Sequence, residues 1–180
     1  MAELVNHPDV QAKLHDEVKK SMPDGGDIHG QATPYLKAVV MEGLRLHPPG
    51  DFLLPHGVQS DGGAEIGGYA VPKGAEVNFM VVEMGRDETA WTAAGDFRPE
   101  RFMDGGEGYD VDITGSKEIK MMPFGAGRRM HVPRCLVARM VREFQWLPAA
   151  EGEVVDTVET VVSFTTVMKH PLRARVAPRN

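Results

Sequence analysis

YLKAVVMEGLRLHPPG, residues 35 to 50, is an apolar helical pattern that carries two charged residues such a helix is poorly suited to bury. Thr33 and Pro34 make a helix start, because proline lacks an N–H that the first turn leaves unpaired anyway, and Pro48 with Pro49 imposes the stop. Apolar side chains fall on most faces, so the helix is expected to be deeply packed. Glu42 and Arg45 are then its informative residues. Their spacing of three puts both on one face, where they can pair. If the helix is buried, neither charge is tolerable alone, and the arginine's fork of donors needs a further partner. An arginine of FRPERF, residues 97 to 102, can supply a third member. The alternative is a solvated helix pair beside an unrelated loop.

Working outward, NHPDVQAKLHDEVKK has Pro8 at a first helical position and Val10, Leu14 and Val18 on one face, an amphipathic helix. The preceding MAELV is apolar and uncapped, as if the fold were entered midway. Beyond the central helix the period changes. Leu53 to Leu54, Ala64 to Ile66, Tyr69 to Val71 and Glu76 to Phe79 are short strand candidates separated by glycine and proline turns. MVVEMGRD suggests a short helix or irregular turn, and residues 91 to 119 a long glycine-rich loop region, a length usually functional or mobile. A short helix from about Leu136 to Trp146 and a strand pair in VVDTVETVVSFTTVMKHPL complete the chain. The fold class expected is mostly α with a small antiparallel β-sheet, in one domain over residues 1–180.

Composition excludes several functions. With 180 residues and 42% hydrophobic content the chain can build a core, and its formal charge of −6 gives no general attraction to nucleic acid. A single cysteine makes no internal disulfide. No run approaches the roughly 20 apolar residues of a membrane span, and the charged first twenty residues do not form a signal peptide.

MMPFGAGRRMHVPRC, residues 121 to 135, places a tight turn at Phe124, Gly125, Ala126 and Gly127 beside Arg128 and Arg129, whose guanidinium groups match carboxylate or phosphate oxygens. It is neither a Walker A sequence nor a dinucleotide fingerprint, and taken alone it is more often a surface turn. Cys135, on a short apolar helix, is most simply a small core residue.

EGLR at 42 to 45, FRPERF at 97 to 102 and PFGAGRR at 123 to 129, in that order and spacing, resemble the C-terminal part of a cytochrome P450 of the plant microsomal type. YLKAVVMEGLRLHPPG and VPKGAEVNFMVVEMGRD add to the likeness, which covers roughly residues 1 to 129 and resumes around 141 to 175. The resemblance implies a partial C-terminal portion of that fold, beginning after the oxygen-activating helix, with haem (iron protoporphyrin) as cofactor. Glu42, Arg45 and Arg101 match its structural ion network. His56, in LLPH, and Arg129 match positions that hold the haem propionates, while Phe124 and Gly127 match those shaping the loop against the proximal haem face. The implied activity is monooxygenation of a small apolar molecule with electrons from an NADPH-dependent reductase. Full-length relatives are implied to sit at the endoplasmic reticulum membrane; this chain carries no anchor, which leaves the cytoplasm open to it.

The chain departs from the family pattern where iron is held. The family's thiolate ligand stands two residues after the second arginine, where this chain has His131; Cys135 comes four residues later, and the proximal helix around 131–141 is shortened. Either residue is a candidate metal ligand. Histidine gives a different site from the thiolate that favours oxygen–oxygen cleavage. The isolated chain is therefore expected to lack monooxygenase activity. The alternative function is a noncatalytic truncated domain, or an unstable product of an incomplete gene model, without stable haem.

Overall fold

The computed structural model describes residues 1–22, 33–59, 62, 64–113, 119–125 and 134–179. In chain order its elements are α1 (Ala2–Asn6), α2 (Pro8–Ser21), α3 (Pro34–Leu46), β1 (His56–Gly57), β2 (Ala64–Ile66), β3 (Tyr69–Val71), β4 (Glu76–Val77), α4 (Val81–Arg86), a 3-10 turn (Pro99–Phe102), α5 (Arg134–Glu143), β5 (Phe144–Pro148), β6 (Glu159–Val162), β7 (Thr165–Met168) and β8 (Ala174–Pro178).

Helix α3 is apolar on most faces because it is packed on two sides. Leu36, Val39 and Val40 join Leu14 and Val18 of α2 and Ala138 and Val141 of α5 in one core cluster. Ala38 and Met41 join Trp91, Phe102 and Met121 in the other. Thr33 makes no side-chain cap at the start of α3. Its free N–H groups go instead to Glu17 of α2, whose carboxylate accepts from Tyr35 N at 2.9 Å and Leu36 N at 2.8 Å. Helix α4 crosses α3 so closely at Gly85 that a Cβ there would collide with the Arg45 carbonyl oxygen. Only glycine permits that crossing.

The strands pair antiparallel as β1–β4, β2–β3, β5–β8 and β6–β7, four two-stranded ladders among the described residues. The one small sheet expected from sequence is thus distributed. Leu53 and Leu54 are not a strand: Pro55 interrupts them, and Leu53 N donates to Phe79 O at 3.0 Å beside the isolated bridge between Phe52 and Met80. The candidate at Glu76 to Phe79 shortens to Glu76–Val77. The helix expected from Leu136 to Trp146 is corrected too. It starts at Arg134 and ends at Glu143, and Phe144–Pro148 leaves it as β5. Tertiary partners override the local apolar period there. Phe144 to Pro148 pair in register with Pro178 to Ala174, and the buried Gln11 side chain receives Trp146 N at 2.9 Å and donates to Trp146 O at 2.9 Å. No helix among the described residues is long and apolar enough to cross a membrane.

Candidate functional site

Burying Glu42 and Arg45 on α3 leaves a carboxylate and five guanidinium N–H groups in need of partners, and the chain supplies them from α4 and the long loop. Arg45 Nε and Nη2 donate to the two Glu42 oxygens at 2.7 and 2.9 Å. The rest of its fork reaches the carbonyls of Gly85, Ala94 and Asp96. Arg101, on the 3-10 turn, donates through Nε to Glu42 Oε1 at 3.0 Å, and the Arg98 N–H reaches the same oxygen at 2.8 Å. Glu42, Arg45 and Arg101 are all at most 3% exposed.

The three residues singled out by sequence are therefore brought together, with a fourth that sequence reasoning missed. Glu107 accepts from Arg101 Nη1 and from Thr92 N. Burial opposes its charge, but the Thr92 hydrogen bond and the Arg101 guanidinium outweigh that and hold its carboxyl below the usual range. Two carboxylates now face two guanidinium groups, and Trp91 lies beneath, its ring centre 5.4 Å from Arg45 Cζ and 5.9 Å from Arg101 Cζ. A count of charge was the available signal: two buried arginines with one glutamate demand a second acid. Every donor direction is taken, so the network is a brace that fixes the loop on α3 and has no free group to offer a substrate.

Separate from this brace in its lining residues is an open cleft of about 840 Å³, within the roughly 300–1,000 Å³ of small-molecule and cofactor sites. Its walls are residues 49–56, the turn at 123–125 and the tip of the β6–β7 hairpin. Gly125 takes φ of 76°, in the left-handed region, and its Cα faces the Leu53 methyl groups; LLPH and PFG thus meet across the cleft. Phe52, Leu54 and Phe164, 52, 72 and 77% exposed, all line it, an apolar concentration that water alone does not favour. His56 lies exposed at the rim on β1, and Phe124 is half-buried in the turn.

A sequence model of the family described as Cytochrome P450 matches residues 1–176. The chain belongs to the cytochrome P450 family. It is 42% identical over 194 aligned positions to Cytochrome P450 89A9 of Arabidopsis thaliana, covering 99% of this chain and 37% of that protein. It is 36% identical to 3-hydroxyindolin-2-one monooxygenase of Zea mays, covering 99% of this chain and 35% of that one. A zebrafish cytochrome P450 structure determined with abiraterone superimposes with a TM-score of 0.74 at 25% identity, over 99% of this chain and 41% of that one. The chain spans a little over a third of the length of the curated relatives it matches. Its helices and short antiparallel ladders are a fragment of the P450 fold.

Haem iron is the cofactor of P450 proteins. The described walls fit its ring: exposed aromatic and aliphatic faces surround a space of the right scale. Gly127, Arg129 and His131 lie outside the described residues. Cys135 sits in the first turn of α5, half-buried and packed against the core cluster that includes Ala138 and Val141, and it is not among the residues lining the cleft. Phe52 and Phe164 were not anticipated as site residues. Their only sequence signal is a bulky aromatic placed where a turn or edge exposes it.

Proposed function

We propose that this chain is the haem-holding portion of a P450 monooxygenase acting on a small apolar molecule. The apolar cleft carries the reading, because it gathers LLPH, PFG and the β6–β7 tip, segments far apart in sequence, around one cofactor-sized space. His56 and Arg129 would hold the propionates, charge-assisted contacts at the ring's polar edge. Phe124 and Gly127 would shape the turn against the ring, and the Glu42–Arg45–Arg101 brace would keep the loop beneath it in place. Bound haem supplies one-electron and oxygen chemistry with electrons from an NADPH-dependent reductase at the endoplasmic reticulum membrane. Residues 1–180 are one domain in this reading.

Of the two candidate ligands, His131 would be the residue that holds the haem iron. Cys135 packs toward the core rather than the cleft, whereas His131 stands in the family's ligand position. The 194-position alignment against a 180-residue chain means the relative has residues without counterparts here, in keeping with a shortened proximal helix. A histidine ligand lacks the electron push of thiolate. Titrating the purified chain with haem tests both claims. Expected are saturable one-to-one binding and a reduced carbon-monoxide spectrum of the histidine type, lost in His131→Ala. A folded chain that captures no haem overturns the function, and a thiolate-type spectrum that survives His131→Ala overturns the ligand.

A further inference from the structure

One wall of the cleft is held in an unusual way. No residue of the β6 and β7 strands is buried, and Val161, Val162, Phe164 and Val167 are all exposed, so core packing does not place the hairpin. Polar contacts do. At the tip, Thr166 N donates to Pro49 O at 2.9 Å and Thr166 Oγ1 to Asp51 Oδ1 at 2.7 Å. At the base, His47, the residue that ends α3, stands between two carboxylates. Its Nδ1 is 2.8 Å from Glu159 Oε1 and its Nε2 is 2.8 Å from Glu3 Oε1. The other Glu159 oxygen accepts from Arg86 Nη2 at 2.9 Å, and the same nitrogen reaches Leu46 O at 2.7 Å.

An imidazole flanked by a carboxylate at each nitrogen has one arrangement that satisfies both: the doubly protonated ring, donating on both sides. The neutral ring leaves a nitrogen lone pair against a carboxylate oxygen, which repels. We infer that His47 is a positioning residue for the cleft, whose imidazolium latches the β6–β7 hairpin, and with it Phe164, against residues 49–51, and whose deprotonation loosens that wall. The inference rests on the cleft being the ligand site proposed above, but the latch itself is independent of haem.

The groups around His47 support this. Glu3 comes from α1, with His7 3.4 Å from its other oxygen; Glu159 comes from β6, Arg86 from α4, and Glu83 and Asp51 line the same recess. Burial disfavours the charged ring, but the hydrogen bonds it donates to Glu159 and Glu3 outweigh that and raise His47 from 6.5 to about 9. The latch is therefore closed at neutral pH and opens as pH rises through about 9.

Hydrogen exchange of the 180-residue chain, without haem, tests the device at the Thr166 amide, which is bonded to Pro49 O. After correction for intrinsic exchange, its protection is expected to fall about tenfold as pH passes His47's value, while the α3 amides of Val39 and Val40 stay far better protected. His47→Phe should lower Thr166 protection at neutral pH and abolish the step. Glu159→Gln, which keeps shape but removes charge, should move the step to lower pH. An unchanged step in His47→Phe, or Thr166 and α3 amides falling together to one value, overturns the latch. Absence of haem binding leaves these readings intact, so the two proposals fail separately.

Discussion

At the scale of single residues, the strongest constraint is the buried charge balance around Glu42. It accepts from Arg45, Arg101 and the Arg98 backbone, so its charge compensates two guanidinium groups at once. Glu42→Gln keeps the volume but leaves Arg45 and Arg101 facing each other with only Glu107 to oppose them. Removing one member of a buried ionic group typically costs about 3–5 kcal/mol, because the remaining charge is unpaired. The expected outcome is an unfolding free energy lowered by that amount, read as a urea midpoint reduced by the loss divided by an unchanged slope, the mark of lost stability rather than a changed unfolded state. Arg101→Lys should not spare the fold, since a lysine cannot reproduce the fork that reaches Glu42, Glu107 and three carbonyls. Full stability in either variant contradicts the brace.

At the scale of elements, Gln11 is what joins the helical layer to the C-terminal ladder. Buried on α2, it donates to Leu4 O at 2.7 Å and Trp146 O at 2.9 Å and accepts from Trp146 N and from Arg179 Nη2. Gln11→Ala leaves backbone groups of α1 and β5 without partners, at about 1–3 kcal/mol for a buried group. Amide exchange at Trp146 should quicken markedly while α3 stays protected; an unaffected Trp146 amide contradicts the joint. The same element shows why legibility from sequence is uneven. Helices α2 and α3 and the β2–β3 hairpin are readable because their signals are local: a proline at the first turn, an apolar face, and Gly67 and Gly68 at φ of 59° and 85° in the turn. Strand β5 is not, since its partners β8 and Gln11 are remote and its apolar residues also suit a helix. At the site, Glu42, Arg45 and Arg101 are legible from the cost of burying charge, whereas Glu107 and His47 act through partners that no local spacing reveals.

At the scale of the whole molecule, the ionic contacts between elements give stability a pH profile whose two limbs have different owners. Glu100 and Glu159 hold their protons less tightly than ordinary carboxyls: burial opposes the shift, but Lys13 and Tyr35 stabilise Glu100, and His47 and Arg86 stabilise Glu159. A carboxyl depressed in the fold contributes stability above its ordinary value and loses it as pH falls through the folded one, so these two, with Glu107, make the acid limb. His47 is raised from 6.5 to about 9. Its contribution is complete below 6.5 and disappears as pH rises through about 9, making the alkaline limb; Tyr35, raised by burial and by Glu100, extends it, because the unfolded chain ionises first. Unfolding midpoints measured from acid to alkaline pH should therefore carry a His47 contribution that declines by about 1–2 kcal/mol between pH 6.5 and 9 once solvent screening of the partly exposed ring is allowed for, against the opposite slope of His15 and the Met1 amino group, both lowered by burial. His47→Phe should flatten the decline between pH 6.5 and 9 and leave the acid limb unchanged. A decline of the same size in that variant would assign the alkaline limb to other groups and remove His47 from the account of how the C-terminal hairpin is tied to the helices.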